Sequence, residues 1–361
     1  MGDLLGPPDA PVLPEVGVPA NFIHGMPLEA VVTMAANEST ERAAAAGGGI
    51  HPETVEQLHE DVYRMARAYG TTSPLHLLIE ARRSRELACD LLERTRRPNQ
   101  TRELYSVAGR LCALMASASF DLGVWSSAVE QARAATVYAE VIEDPELGAW
   151  ARGTQALIAY WMDQPRRAAD YVAAALVYAP AGAATARLHA IGSRAFSHLG
   201  DVGRTGSSLQ AADLALEQAT GELELHEQIG GEFGWDLARH AACAGTALLQ
   251  VGQFGPAARR TQQALDLLDA SNTETPHRAH IDLALAQLGS GELDATVSEL
   301  TTVWEIPPDQ RRTTVTGRLL ALNRALSAAQ WRDVGQADQL RDRIEVFTTE
   351  GRRALELPAA G

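Results

Sequence analysis

The sequence predicts an all-α protein, a tetratricopeptide-like helical-repeat solenoid of about seven antiparallel helix pairs. Strand-like alternation of Val, Ile, Thr and aromatic residues is scarce along the chain. Only 5% of the 361 residues are aromatic, so the core must consist mainly of Ala and Leu, which favours closely packed helices. Breaks between the apolar-periodic segments also recur at a nearly constant spacing, as in repeat proteins.

A small residue near the start of the second helix of each pair defines the repeat. In residues 123–128, 252–257 and 291–296 a glycine opens a turn, and a small residue follows five positions later. Small side chains at this point allow two antiparallel helices to touch. Seven such anchors lie 37 to 41 residues apart, except for one interval of 52: Ala88, Ala128, Ala168, Thr205, Ala257, Thr296 and Ala337.

Three parts are expected along the chain. Residues 1–47 are rich in Pro, Gly and Ala and are predicted to form a linker or arm, in which residues 28–46 have a helical pattern. Residues 48–350 are predicted to form the solenoid, and residues 351–361 a C-terminal tail. Three solenoid helices have a capping side chain before a proline at their start: Ser73-Pro74, Asp144-Pro145 and Thr275-Pro276.

The 52-residue interval contains an insertion at residues 218–236. Extra residues in a solenoid form loops on one side, often the side that binds a partner. Phe233 and Trp235 in this insertion predict either a lid or partner-contacting loop, or a connector held against the solenoid by its two aromatic rings. The sequence leaves these alternatives open.

Composition excludes several classes of function. All 31 basic residues are arginine, so lysine Schiff-base enzymes, Walker A nucleotide-binding proteins and protein kinases are excluded. The net charge of −15 opposes nonspecific binding to nucleic acid or an anionic membrane. The scattered Cys89, Cys112 and Cys243 predict neither a disulfide framework nor a zinc site. We therefore expect a cytoplasmic protein with no cofactor and no membrane-spanning segment.

An arginine column is the main candidate for a binding site. In a tetratricopeptide solenoid the first helix of each pair lines the concave groove. Eighteen residues before six of the anchors lie Arg110, Trp150, Arg187, Arg239, Arg278 and Leu319, and Arg152 and Arg194 lie nearby. Fork-shaped donors along a groove suit carboxylate or phosphate recognition. The alternative is that these arginines form structural bridges to acidic residues on neighbouring helices.

Two other groups of residues have alternative interpretations. Trp150 and Tyr160 share one predicted helix and project toward the groove, where they contribute to an amphipathic ligand site or pack between helices. His277 and His280 share one helix face, but Asp282 is expected to point elsewhere and no third ligand is evident. No metal site is therefore predicted.

Five short motifs carry a resemblance to a known family over roughly residues 34–347. They read MAANES at 34–39, RELY with AGRLC at 102–112, WARGTQ at 150–155, GGEFGW at 230–235 and WRD at 331–333. They resemble the C-terminal tetratricopeptide-like region of actinobacterial XRE-type helix-turn-helix transcriptional regulators. In that family a DNA-binding domain precedes the linker. Residues 1–33 are too short and too rich in proline for such a domain, so direct nucleic-acid binding is not expected of this chain.

These observations predict a non-enzymatic regulatory sensor or adaptor that acts in transcriptional regulation. Its concave groove would bind a peptide, a protein segment or a small acidic ligand. A second interpretation is a protein-protein scaffold or dimerisation module without a ligand, and a homodimer is compatible with both. An enzyme is the third interpretation, and it would require a deep pocket with adjacent, strongly perturbed acid and base groups.

Overall fold

The structure, a computed structural model, describes residues 28–46, 50–268 and 274–355. The chain divides into two compact units at residue 54. The first unit contains helix α1 (Leu28–Ala46), where the sequence has its helical pattern, and the second unit contains the repeats. The predicted arm before residue 28 and the predicted tail beyond residue 355 lie outside the described residues.

Helices α2 to α15 pair in chain order into seven hairpins, which confirms the predicted helical-repeat architecture. Their bounds are α2 (Pro52–Ala68) and α3 (Pro74–Arg94), α4 (Pro98–Asp121) and α5 (Trp125–Ile142), α6 (Pro145–Trp161) and α7 (Pro165–Leu176), α8 (Ala183–His198) and α9 (Val202–Leu216), α10 (Leu237–Gln250) and α11 (Phe254–Asp266), α12 (Glu274–Gly289) and α13 (Leu293–Glu299), and α14 (Thr313–Leu326) and α15 (Gly335–Leu355). No strand occurs in the described residues.

The hairpins form two layers. The even-numbered helices from α4 to α14 make an inner layer in which each helix contacts the next. Each odd-numbered helix from α5 to α11 lies outside this layer and packs on the inner helix before it and the inner helix after it. The inner helices α4 and α6 are therefore buried over most of their surface.

The seven anchors occupy the contact between the layers. Every one of them is at most 1% exposed, as expected for small residues at the closest approach of two helices. In α5, α7, α9, α11 and α13 the anchor is the fourth residue of the helix. The regular spacing of the anchors therefore reflects the constant position of each anchor relative to the first residue of its outer helix.

A three-residue turn joins the inner and outer helices in the five pairs from α4 to α13. Its central residue has a left-handed backbone, with φ between 59° and 89°, at Gly123, Asp163, Gly200, Gly252 and Gly291. The amide of the third turn residue donates to a carbonyl in the last turn of the inner helix, as from Val124 N to Ser119 O at 2.9 Å. This hydrogen bond satisfies a carbonyl that the helix end leaves unpaired.

A buried charged cluster joins the last repeat to the first two. Arg312, immediately before α14, donates to Asp121 Oδ2 at 2.7 Å, and both side chains are at most 5% exposed. The Tyr69 hydroxyl donates to the same carboxylate oxygen at 2.6 Å, and Arg312 also donates to the Tyr69 carbonyl. Helix α14 therefore contacts the end of α4, and the inner layer closes on itself.

We expect Gly200→Ala and Gly206→Ala to change stability in opposite directions. Neither position has a heavy atom within 4 Å of an added Cβ, but only Gly200 has a positive φ, of 71°. Alanine at Gly200 should therefore lower the free energy of unfolding by about 1 kcal/mol through backbone strain. Alanine at Gly206, inside α9, should raise it by up to about 1 kcal/mol. Urea denaturation of both variants measures the difference, and equal effects would contradict the assigned turn.

Asp121→Ala should destabilise the protein by about 3–5 kcal/mol, because it leaves the buried Arg312 guanidinium without its carboxylate. The double variant Asp121→Leu with Arg312→Met should lose less than the sum of the two single variants. Glu130→Ala, which breaks an exposed ion pair to Arg133, is the control and should cost about 1 kcal/mol or less. Additive losses at Asp121 and Arg312 would mean that the two groups do not interact energetically.

Candidate functional site

Five inner helices, α6 to α14, and the insertion surround a cavity of about 130 Å³ that is partly open to solvent. Residues at i, i+4 and i+7 of α8 line it, namely Arg187, Ile191 and Arg194. The α10 residues Arg239, Cys243 and Thr246 have the same spacing and also line it. The cavity is therefore built by one repeated face of successive inner helices.

The cavity wall carries more positive than negative charge. Five arginines line it, from helices α8, α10, α12 and α14: Arg187, Arg194, Arg239, Arg278 and Arg318. Only two carboxylates do so, Glu232 from the insertion and Asp282 from α12. The wall thus has an excess of three formal positive charges in a protein whose net charge is −15. Leu157, Ala242 and Ala279 add apolar surface.

Arg187 and Arg239 bond to uncharged acceptors. Arg187 donates to the Trp150 carbonyl at 3.0 Å and to Thr154 Oγ1 at 3.1 Å. Arg239 donates through Nη1 to two carbonyls of the insertion, those of Glu232 at 3.1 Å and Gly234 at 2.9 Å. These bonds orient both guanidinium groups but do not neutralise them.

The Arg194 guanidinium is incompletely hydrogen-bonded. Its residue is 8% exposed, and its guanidinium carbon lies 4.5 Å from the centroid of the Tyr160 ring. Its Nε and Nη2 atoms donate to no group within the part of the chain that the structure describes. Among the described residues, Trp235 Nε1, on the same wall, is also without an acceptor. The incompletely bonded groups on this wall are therefore donors.

Arg318 binds a carboxylate of the wall directly. Its Nε donates to Asp282 Oδ1 at 2.9 Å, and Thr246 Oγ1 donates to Asp282 Oδ2 at 2.5 Å. Both side chains of the ion pair are less than a tenth exposed. Asp282 therefore points into the cavity wall, whereas His280 of the same helix lies against Glu299 of α13.

Burial lowers the pKa of two arginines of the wall, whereas the pKa of Arg194 is raised because its interactions with Tyr160, Cys243 and Asp282 outweigh its burial. Burial lowers the pKa of Arg187 from 12.5 to about 10, and the nearby Arg239 charge acts in the same direction. Burial also lowers the pKa of Arg318, with Asp282 opposing the change and the charges of Arg194 and Arg278 adding to it. All these groups remain protonated at neutral pH, so the cavity keeps its positive charge.

The insertion crosses the inner face of the repeats. It contains a π-helical turn, Glu224–Ile229, and it contacts the end of α2, where the Glu232 amide donates to the Ala66 carbonyl at 2.8 Å. Gly231 has φ 56°, and a Cβ there would lie 2.0 Å from the same carbonyl, so only glycine fits. Phe233 is fully buried, with its ring 5.1 Å from that of Trp150.

Arg110 lies outside the cavity, in a bidentate ion pair with the insertion. Its Nη1 and Nη2 donate to the two Glu224 oxygens at 3.0 and 2.7 Å, and the Tyr63 hydroxyl donates to the same carboxylate. The hydrogen bonds from Arg110 lower the pKa of Glu224 from 4.5 to about 2. This pair belongs to a separate acidic depression of about 490 Å³ that also contains His59 and Glu103.

Three further residues of the predicted site do not line the cavity. Trp150 is 1% exposed beneath the Arg187 guanidinium, and Tyr160 is 7% exposed beneath Arg194. Arg152 bonds to Gln155 at 3.2 Å and to Glu140 of the outer helix α5 at 3.5 Å. The structure therefore brings together Arg187, Arg194, Arg239, Arg278 and Trp235 out of the predicted set.

The predicted column has the wrong residue in its last repeat. Leu319 is fully buried in the apolar core, and its neighbour Arg318 lines the cavity instead. The connection between α14 and α15 spans residues 327–334 and contains a short 3₁₀ helix, Ala329–Trp331, where other pairs have a three-residue turn. Counting eighteen residues back from the anchor therefore does not identify the residue of α14 that lines the cavity. Cys243 and Thr246 follow Arg239 at the i+4 and i+7 positions, so the same spacing could have indicated them, whereas Glu232 lies in the insertion, outside the repeats.

The two histidines that share a face of α12 belong to no group of three or more metal-ligating side chains among the described residues. His280 Nδ1 lies 2.6 Å from Glu299 Oε1. In residues 28–46, 50–268 and 274–355 no group of three or more His, Cys, Asp or Glu side chains could hold a metal ion. Within the same ranges, no helix is both long and apolar enough to cross a membrane.

Comparison with known proteins gives distant similarity to solved structures. No protein-family model and no curated protein matches this chain. The crystal structure of a Rap protein complexed with competence and sporulation factor has a TM-score of 0.45 and 12% identity, over 83% of this chain and 98% of that one. At this level the similarity says nothing about what this chain binds, and the resemblance to XRE-type regulators stays a prediction.

Glu224→Gln should destabilise the protein at pH 7 and lose this effect in acid. Because the folded-state pKa of Glu224 is about 2 and its ordinary value is 4.5, its contribution is present above about pH 4.5 and disappears as the pH falls toward 2. Glu224 is 43% exposed, so we expect a loss of about 1 kcal/mol at pH 7. Urea denaturation between pH 7 and pH 3 measures it.

The exposed Glu222 of the same segment supplies the control. Glu222→Gln should change the free energy of unfolding by less than about 0.5 kcal/mol at every pH. A Glu224→Gln effect that is constant with pH would show that Arg110 does not hold this carboxylate in its charged form.

Proposed function

We propose that this protein is a non-enzymatic regulatory sensor or adaptor whose inner-face cavity binds the anionic group of a ligand. The observation that carries the proposal is the set of five arginines around a cavity of about 130 Å³ that has only two carboxylates. The ligand is a small acidic molecule or the acidic part of a peptide or protein segment. Its negative charge would replace the counter-charge that the wall lacks.

The alternative, that these arginines are structural bridges, accounts for part of the column. Arg110 with Glu224 and Arg318 with Asp282 are ion pairs of that kind. Arg187, Arg194 and Arg239 form no ion pair with a described residue. Arg187 and Arg194 are also buried, and a buried guanidinium without a counter-charge costs several kcal/mol, so stability alone does not account for these two. Charges that weaken the fold are typical of binding sites.

The chemistry of the wall supports binding without catalysis. Arginines remain protonated near neutral pH and therefore serve poorly as general acids or bases. Burial raises the pKa of the Cys243 thiol, which also donates to the Ala190 carbonyl at 3.4 Å. A protonated thiol is a weak nucleophile. These groups suit recognition of an anion rather than its conversion.

The proposed role in transcriptional regulation and the cytoplasmic location follow the resemblance to XRE-type regulators. In this role ligand occupancy would be passed through the closed inner layer to another protein or to a second copy of this chain. Residues 48–350 would form the sensing module, with the segments on either side as an arm and a tail.

One observation supports the scaffold as a second function. Val137, Val177 and Leu214 lie nine residues after three successive anchors and are 51%, 86% and 52% exposed. Equivalent positions on neighbouring outer helices place these apolar side chains in a row. A partner could bind there while the cavity binds its ligand.

Arg194→Met tests the proposal, because it separates binding from stability. Removal of a buried charge without a counter-charge should leave the free energy of unfolding within about 1 kcal/mol of the parent or raise it, although the contact with Tyr160 is lost. Arg318→Met should instead cost about 3–5 kcal/mol, because it strands Asp282. Urea denaturation measures both.

Binding is measured in the same proteins by calorimetric titration with succinate, inorganic phosphate and a short acidic peptide. The parent should bind at least one of these anions, and Arg194→Met should lose that binding. A parent that binds none of them, together with an Arg194→Met variant as unstable as Arg318→Met, would contradict the proposed function.

A further inference from the structure

We propose that the anion of the cavity is a phosphoryl dianion, either free phosphate or the head group of a phosphomonoester. This inference rests on the proposed function and names the ligand class of the same site. Four features of the cavity carry it: the size of its charge excess, the nature of its incompletely bonded groups, the origin of its arginines on four different helices and its volume.

The charge excess favours a doubly charged group. The wall has five guanidinium groups against Glu232 and Asp282. Both carboxylates already have partners in the fold, since Asp282 accepts from Arg318 and Thr246, and Glu232 Oε1 accepts from Ser117 at 2.6 Å. A single carboxylate on the ligand would neutralise one of the three excess positive charges, whereas a phosphoryl dianion would neutralise two. At neutral pH a phosphomonoester carries between 1.5 and 2 negative charges.

The incompletely bonded groups require an acceptor with several lone pairs. The Arg194 Nε and Nη2 atoms and Trp235 Nε1 are donors with no acceptor among the residues described. Guanidinium and indole N–H groups have no acceptor capacity, so a hydroxyl or amine donor on the ligand would add nothing at these atoms. The terminal oxygens of a phosphoryl group are acceptors only.

The origin of the arginines on four different helices favours a tetrahedral group over a planar one. Arg187 and Arg194 belong to α8, Arg239 to α10, Arg278 to α12 and Arg318 to α14. A planar carboxylate offers two oxygens, which one bidentate guanidinium can occupy. A phosphoryl group offers three oxygens in three directions. It can therefore bind donors from several helices at the same time.

The volume restricts what can enter. At about 130 Å³ the cavity is slightly smaller than the ~150 Å³ engineered cavity that holds a benzene ring. It thus has room for one group of about five or six heavy atoms, and a phosphoryl group has five. The rest of a phosphomonoester would lie in the part of the cavity that opens to solvent.

Calorimetric titration of the full chain at pH 7.5 and constant ionic strength tests this assignment. The probes are inorganic phosphate, glycerol 3-phosphate, acetate and succinate. We expect phosphate or glycerol 3-phosphate to bind at least about tenfold more tightly than either carboxylate, because the dianion forms more charge-assisted hydrogen bonds with the wall. Binding of free phosphate alone indicates a phosphate sensor, and binding of the ester indicates a larger phosphorylated ligand. Both outcomes support the proposal.

Two variants locate the site. Arg194→Gln should weaken phosphate binding at least about tenfold by removing a donor of the wall. Arg133→Gln removes the same charge from an arginine on α5 that is 56% exposed and outside the cavity, so it should leave binding within about twofold. Far-ultraviolet circular dichroism and the urea midpoint of each variant establish that it is folded.

The outcomes distinguish this inference from the proposed function. Succinate or acetate binding as tightly as phosphate, with loss in Arg194→Gln, would overturn the phosphoryl assignment and leave an anion sensor. Equal weakening of phosphate binding by Arg194→Gln and Arg133→Gln would mean that phosphate binds elsewhere and would overturn the inference. No binding of any of the four probes would overturn it as well, and the acidic peptide then decides whether the proposed function stands.

Discussion

The close contact of inner and outer helices at the seven anchor residues is the constraint on which the rest of the structure depends. Because each anchor is at most 1% exposed, any larger side chain there would separate the two layers. The three-residue turns with a left-handed central residue give most outer helices the same starting point relative to the anchor. Successive inner helices are consequently rotated about their own axes so that equivalent residues face the same side. The same face of α8, α10 and α12 reaches one cavity for this reason, and arginines at equivalent positions become neighbours.

Closure of the inner layer and the position of the insertion turn the expected groove into a cavity. The cluster of Arg312, Asp121 and Tyr69 joins repeats that are distant in sequence. The insertion then crosses the inner face, held by Arg110 on Glu224 and by Arg239 on two of its carbonyls. What remains is a volume of about 130 Å³. Arg187, Arg194 and Arg318 are each less than a tenth exposed on its wall, so solvent screens their charges less than those of surface arginines.

The use of arginine alone has a physical consequence in this cavity. Burial lowers the pKa of Arg187 to about 10, which still leaves the group charged at neutral pH. A lysine starts from about 10.4, and a similar decrease would bring its titration close to neutrality. Only arginine keeps its charge under this degree of burial. The absence of lysine from the whole chain does not explain why the cavity positions are basic. The lowered pKa of Arg187 indicates that burial of its charge costs folding free energy.

The sequence by itself determined the helical class, the seven pairs and the anchors, because small residues and turn glycines act locally and recur with the repeat. It also indicated Arg187, Arg194, Arg239 and Arg278, since a repeated face is readable from spacing. Only the tertiary structure decided that Arg318, and not Leu319, lines the cavity. It also decided that Trp150 and Tyr160 lie beneath arginine side chains, and that Arg110 pairs with Glu224 outside the cavity. Those outcomes depend on a connection of irregular length and on contacts between segments more than a hundred residues apart. Such contacts are set by how the layer closes, and no periodic pattern in the sequence encodes them.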